Sequence, residues 1–420
     1  MSAPVDPQQF EASMRQEFLK KENLAKLFGL IAPYLDPAAP PLVYILTQSD
    51  RIGHFMIEPQ ILKSVYGGRY SRIVVLTQPM TRPGTNTAVR DCFDDTITWV
   101  ETDDPVLSAM GFIDGGLADL GALHLLLTSP RKLIVDFWRL VVGGLRPARL
   151  TLPERVRERG HAQLRAIGID PLAPFVFFHV RTEKYKPGAQ SHRHRTTSIE
   201  PYRPSIRRLL DAGYQVVRIG ETELEPPDWI GDGYVSLPDA LPGLAPDDRA
   251  VDIAVLADAA FGTAQNSGPI WVAAAFGTSS LRTNTPFEHL NLPYNRDLTL
   301  FKRYRDRNTG RFLRYAEILE RRLPAVLRDS DFESREVDLV ENAEADIDAA
   351  TEEFLRHLKG QPAGLSPEAA ARFLELGQAY ERAISAEPWF QQETLDFYGY
   401  AHPFGTIAAA QLAADPDFLD

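Results

Sequence analysis

Short apolar runs alternate along the chain with stretches of helical periodicity. Leu42–Thr47, Arg72–Leu76, Ile97–Val100 and Leu123–Leu127 read as strands, and Glu58–Tyr66 and Lys132–Val142 as helices among them. Runs this short, bounded by Gly and Pro, fit strands buried on both faces of a parallel sheet. A second series opens with the apolar run Phe175–Phe178 and continues with a helix over Pro201–Ala212, a strand over Gln215–Ile219 and a short strand over Tyr234–Leu237. A helix over Asp248–Ala257, a strand over Ala259–Gly262, a helix over Gly268–Phe276 and a strand over Ser280–Thr283 complete it. This alternation predicts an α/β fold with two tandem parallel-sheet domains, 1–150 and 151–330, and a ligand cleft between them. An arginine-rich helix over Pro153–Ile167 bridges the two series, and acid-rich helical spacing over Asp331–Glu353 and Ser366–Ile384 predicts a helical C-terminal extension, 331–420.

Composition narrows the class. A chain of 420 residues is long enough for more than one core, and 44% hydrophobic with 24% charged residues is ordinary for a soluble globular protein. The net charge of −12 argues against broad nucleic-acid binding but leaves room for a local anion site built from a few arginines. The single cysteine, Cys92, excludes an internal disulfide and a cysteine-based zinc site and fits a reducing, cytoplasmic setting. The Phe10–Ala32 region mixes charges and leucines at helical spacing, unlike a signal peptide, and no apolar run reaches membrane-spanning length, so any membrane contact is expected to be peripheral.

Candidate chemistry collects where predicted strands end. The run FVFFHVRTE delivers His179, Arg181 and Glu183 at alternate positions, which in extended chain share one side. Either His179 is a satisfied core histidine and Arg181 pairs with an acid, or the three open a site at the C-terminal edge of the sheet. Arg51-Ile52-Gly53-His54 follows the first strand. There Gly53 lets backbone amides approach a ligand, and His54 is either a helix-start residue bonded to nearby backbone or a general base. Arg218, Gly220 and Glu221 end another strand and offer a phosphate donor, a close approach and an acceptor for a ribose or base. Asn266, Ser267 and Gly268 open an apolar helix whose first amides can hold a diphosphate, with Ser267 and Pro269 equally suited to plain capping. The basic loop Ser191–Arg195 can close over phosphate, and Asp252 and Asp258 can accept from a nucleoside, although solvated surface is the blander reading of each. No His/Asp/Glu set has metal-ligand spacing, and Walker-A, G-x-S-x-G and G-x-G-x-x-G signatures are absent.

The order R-I-G-H-F…E-P, H-V-R, R-I-G-E and A-D-A-A-F-G-T-A-Q-N-S-G, over Leu42–Leu319, resembles a family of bacterial glycosyltransferases from surface-polysaccharide loci. His179–Lys184 is also similar to the H-x-R motif of GDP-fucose-dependent fucosyltransferases. The resemblance implies two Rossmann-like domains in the GT-B arrangement, with the sugar nucleotide on the C-terminal domain and a glycan or lipid-linked acceptor on the N-terminal one. It also implies that Arg181 binds the donor diphosphate. Two departures stand out: Ala264-Gln265 is inserted ahead of Asn266-Ser267-Gly268, and KPGAQSHRHRTT differs from the fucosyltransferases. The expected activity is inverting, metal-independent transfer of a hexosyl or deoxyhexosyl group from a GDP- or UDP-type donor, with no cofactor. His54 is the first choice of base and Glu183 the second. A nucleotide-sugar epimerase or hydrolase, or a catalytically inactive glycan-binding scaffold, is the alternative on the same plan.

Overall fold

The computed structural model describes residues 20–70, 72–182, 190–222, 231–287, 295–326, 328–384 and 406–420, together with 13, 16 and 17. The chain divides into two compact units, Met1–Val156 with Leu244–Ile253, and Arg157–Gly243 with Ala254–Asp420.

In the first unit, β1 (Leu42–Leu46) and β2 (Ile73–Thr77) are buried at every position, which is why they read as unbroken apolar runs. Each fully buried aliphatic side chain there contributes roughly 1.5–3 kcal/mol. They pair in parallel with each other, β2 with β3 (Ile97–Glu101), and β1 with β5 (His124–Leu127). A strand with no apolar signal, β4 (Gly116–Asp119), is mostly exposed and adds antiparallel to β5, giving the order β3-β2-β1-β5-β4. Helices α1 (Lys21–Ile31), α2 (Ile52–Tyr66) and α3 (Pro130–Val142) accompany this sheet. The sequence predicts α2 from Glu58, but it begins six residues earlier, at Ile52, and runs through Pro59. Gly53 and Pro59 hide it as helix breakers, and burial of every residue from Phe55 to Leu62 erases the amphipathic period.

The second unit opens with α4 (Glu154–Ala166), which begins just ahead of the boundary. Its parallel sheet contains β6 (Phe175–His179), β7 (Gln215–Arg218), β8 (Tyr234–Ser236), β9 (Phe261–Ala264), β10 (Ser280–Thr285), β11 (Leu298–Phe301) and the two-residue β14 (Thr406–Ile407). The order is β14-β11-β10-β9-β6-β7-β8, so after three strands laid to one side the chain returns to the other side of β6. That reversal between β6 and β9 is the switch point of a Rossmann-like sheet, where ligands bind outside the carboxyl ends of the strands. Helices α5 (Arg203–Asp211), α6 (Ala250–Asp258, its residues up to Ile253 counted with the first unit) and α7 (Gly268–Phe276) alternate with these strands.

Close packing of β6 on β9 requires a glycine. A Cβ on Gly262 would fall 1.9 Å from Cζ of the Phe177 ring. Gly262→Ala is therefore expected to destabilise the second unit by about 3 kcal/mol or more, read as a lower denaturant midpoint. An unchanged midpoint would mean that the ring has room to move.

The stretch 331–420 is more than a helical extension. Beyond β12 (Arg303–Asp306), its first strand, β13 (Val337–Val340), pairs antiparallel with β12, and β14 extends the main sheet beside β11. Helix α8 (Glu344–Leu358) buries Ile347, Ala350 and Phe354 in the core shared with β6, β10 and α5. Asn284 and Asn342 lock it by reciprocal bonds, each backbone amide donating to the other side-chain oxygen at 2.6 and 2.7 Å.

Candidate functional site

In the first unit, α2 leaves the C-terminal end of β1 through the turn Gln48–Arg51, closed by the Arg51 amide donating to the Gln48 carbonyl at 3.1 Å. Arg51 is the exposed N-cap residue, and Gly53 is buried in the first helical turn. His54 is one residue further and bonds a side chain, not the backbone. Its Nδ1 lies 2.7 Å from Oε1 of Glu58, one turn along. Glu58 is fully buried and takes a second bond at Oε2 from the Tyr44 hydroxyl of β1, at 2.6 Å. A carboxylate only accepts, so His54 Nδ1 carries the proton and Nε2 keeps its lone pair. Burial, with Glu58 alongside, raises the Tyr44 phenol well above its ordinary value and keeps it a donor. The result is a phenol–carboxylate–imidazole relay with the imidazole 28% exposed, the geometry of an oriented general base.

In the second unit, the switch point gathers a different set. His179, the last residue of β6, is buried, and its Nδ1 lies 3.0 Å from the Ile219 carbonyl. The carbonyl accepts, so Nδ1 donates and Nε2 is a bare acceptor, buried without a protein partner. Burial lowers this imidazole to about 4, so it is neutral at ordinary pH. Gly220, at φ 129°, packs against that ring, and a Cβ there would meet Nδ1 at 3.0 Å. Only glycine tolerates both conditions.

Arg181 is held by its main chain on both sides. Its amide donates to Gln265 Oε1 at 2.7 Å, and its carbonyl accepts from the Thr197 amide at 3.0 Å. Gln265 continues β9, its own amide donating to the His179 carbonyl at 3.1 Å. The buried Nε2 of Gln265 has no protein partner, nor do the buried hydroxyls of Thr182, Thr263 and Ser267. Ser267 occupies the N-cap of α7 without the side-chain cap bond expected of it, leaving its hydroxyl to something else. Asn266 is buried beside it, and Gly268 is the first residue of α7. Gln265, one of the two inserted residues, is the one whose side chain fixes the Arg181 amide. Its excess over the G-T-N-S-G pattern is the signal that pointed to it.

Several of the predicted residues have partners within the protein. Arg218 is fully buried, with Nη1 donating to the Glu221 carbonyl at 2.7 Å and to Ser236 Oγ at 3.2 Å, so this nitrogen holds the Ile219–Glu221 turn. Asp252 belongs to the first unit and is taken by Arg249 Nε at 2.8 Å and Asn86 Nδ2 at 3.3 Å, while Asp258 binds Arg157 and His161. In the basic loop, His194 is buried, with Nδ1 2.7 Å from Asp329, which also accepts from the amides of Arg193 and His194. Glu221 remains near Arg181. Burial pushes its carboxyl up, and Oε2 lies 3.5 Å from the Thr182 amide. Glu183 lies outside the described residues.

A surface groove of about 690 Å³ between α5 and α8 contains none of these groups. Its arginines 203, 207 and 208 are matched by Asp211, Glu344 and Asp348, with Arg208 bidentate on Asp348, so it favours neither sign of ligand. Among the described residues, no group of three or more His, Cys, Asp or Glu could hold a metal, and no helix is long and apolar enough to cross a membrane.

Fold and site together define an α/β protein with two units built on mainly parallel sheets, each carrying polar groups at the C-terminal edge. No protein-family model and no curated protein matches the chain. Among solved structures it is similar to the glycosyl transferase family 9 protein from Veillonella parvula, with TM-score 0.40 and 11% identity over 64% of this chain and 88% of that one. It is similar to the ADP-heptose lps heptosyltransferase II of E. coli, with TM-score 0.38 and 12% identity over 58% of this chain and 84% of that one. It also resembles the iron-containing dodecameric glycosyltransferase TibC of enterotoxigenic E. coli, at TM-score 0.32 and 15% identity, spanning 58% of each chain.

Proposed function

We propose that the protein is a glycosyltransferase that moves a sugar from a nucleoside-diphosphate donor to a hydroxyl of a glycan or lipid-linked acceptor, with inversion and without a metal, in the synthesis of a bacterial surface polysaccharide. The observation that carries this reading is the Tyr44–Glu58–His54 relay, an oriented imidazole at one sheet edge of a chain whose other sheet edge holds buried hydroxyl and amide groups without protein partners. The acceptor hydroxyl gives its proton to His54 Nε2 as its oxygen bonds to the anomeric carbon. The bond from that carbon to the diphosphate breaks, and the leaving diphosphate gains charge. Arg181, the Ser267 hydroxyl and the first amides of α7 stabilise that charge, with Asn266 and Gly268 forming the turn. His179 Nε2 and the Glu221 carboxyl accept from hydroxyls of the nucleotide or sugar, and Arg218 and Gly220 position them. The sequence resemblance supports the same assignment of donor and acceptor sides.

A nucleoside diphosphate that prefers the folded state raises its melting temperature. At a hundred times the dissociation constant the gain is about 2.7 kcal/mol. Screening GDP, UDP, CDP, TDP and ADP against the full chain is expected to give one clear rise that Arg181→Ala abolishes. Flat response to all five sinks the transfer reading. Release of nucleotide from donor alone, as fast as with acceptor, points instead to the epimerase or hydrolase alternative.

A further inference from the structure

One peptide group beside Arg181 is held at both of its ends. The Thr197 amide donates to the Arg181 carbonyl at 3.0 Å. The other end of the same peptide, the Thr196 carbonyl, accepts from Lys302 Nζ at 3.0 Å. Lys302 follows β11, and its own amide donates to the Thr285 carbonyl at 3.0 Å, which fixes its backbone at the C-terminal edge of the sheet. Its side chain is only 3% exposed. Glu341 joins the two partners: Oε1 lies 4.0 Å from Lys302 Nζ, and Oε2 accepts from the Thr197 hydroxyl. Just upstream, the Thr196 amide and hydroxyl each donate to the Arg193 carbonyl at 2.8 Å. Asp329 in turn takes the amides of Arg193 and His194, each at 2.8 Å.

An ammonium is costly to bury, so a lysine in this position answers to a specific partner. Its bond to Thr196 does two things. It holds the 196–197 peptide against rotation, which would turn the Thr197 amide away from Arg181. It also polarises that peptide, and an amide whose carbonyl meets a cation donates more strongly. Gln265 holds the amide of Arg181 and this peptide holds its carbonyl, so the root of the guanidinium is set from two directions. Burial lowers Lys302 to about 8, while Glu341 and Asp329 favour its charged form. Of the other charged groups on the loop, Arg193 is exposed, Arg195 is half-buried, and His194 is engaged with Asp329.

We propose that Lys302 is a positioning residue for Arg181, acting through the 196–197 peptide, and that its charge tunes the grip of the site on a diphosphate. The role rests on the transfer reading, in which Arg181 meets the diphosphate of the donor.

The test uses the full chain and whichever of GDP, UDP, CDP, TDP and ADP raises its melting temperature. Lys302→Met keeps an unbranched side chain and removes the charge and the donor. Its affinity for that diphosphate, by titration calorimetry, is expected to fall about tenfold. The matching nucleoside has no phosphate for Arg181 to meet and should bind variant and parent alike. Hydrogen exchange reads the contact without any ligand: the Thr197 amide should exchange about tenfold faster in Lys302→Met, with the amides of β6 at parental rates. The parent itself supplies a reading that needs no variant. Between about pH 7 and 9, as the lysine gives up its proton, its diphosphate affinity should fall about threefold. Lys302→Arg stays charged throughout and should show no such fall. The proposal is overturned by unchanged exchange at Thr197, by faster exchange spread through β6, or by an equal loss of nucleoside affinity. An alkaline fall that is absent from the parent or persists in Lys302→Arg overturns it as well. A parent that binds none of the five nucleotides removes the transfer reading and this role with it, whereas binding that survives Lys302→Met undiminished removes this role alone.

Discussion

His54→Ala is expected to lower turnover by about a hundred- to ten-thousand-fold, the usual contribution of a positioned general base. The second variant, Glu58→Gln, separates basicity from presence. An amide at position 58 can turn its NH2 toward His54 Nδ1, which then accepts and moves the proton to Nε2, the nitrogen that must take one from the acceptor. Glu58→Gln should therefore cost nearly as much as removing the imidazole, although residue 58 is fully buried. Tyr44→Phe deletes only one of the two bonds to that carboxylate and should cost far less. A His54→Ala enzyme within tenfold of the parent would mean that the donor bond breaks without base assistance and that the diphosphate end carries the catalysis.

The strand framework and the position of both candidate edges were legible because both depend on short-range signals. β1, β2 and β6 are buried on both faces and so appear as unbroken apolar runs ending in polar residues. What failed depends on burial and on partners that no local apolar pattern encodes. Glu58 stands four residues from His54, a spacing that announces a helical pair once the helix is known to start at Ile52, but a helix buried all round has no apolar face to announce it. Arg218 looks like a ligand cation because arginine is rarely buried, and nothing in the sequence shows that its Nη1 donates to a carbonyl three residues on and to the hydroxyl of Ser236. β4 and β14 escape for the opposite reason: an exposed edge strand needs no apolar run, and a two-residue strand leaves no room for one. The placement of α8 is fixed by the Asn284–Asn342 exchange across 58 residues, which no local pattern encodes.

Arg181→Ala should lower turnover by about a hundred- to a thousand-fold, the cost of deleting one preorganised group that meets charge only as it develops. The effect should fall on kcat, since the diphosphate gains charge as the sugar leaves, while the fold also grips this residue through its backbone. That grip predicts a companion result. Gln265 fixes the Arg181 amide with Oε1 and has a buried Nε2 free of protein partners. Gln265→Ala loosens the arginine and removes a potential donor to the same diphosphate, so it should also depress kcat, and with Arg181→Ala the two losses should not add, because one group positions the other. Additive losses would place Gln265 in an independent role. Normal turnover in Arg181→Ala would detach the guanidinium from the chemistry, and with it the assignment of the β6–β9 switch point to the donor.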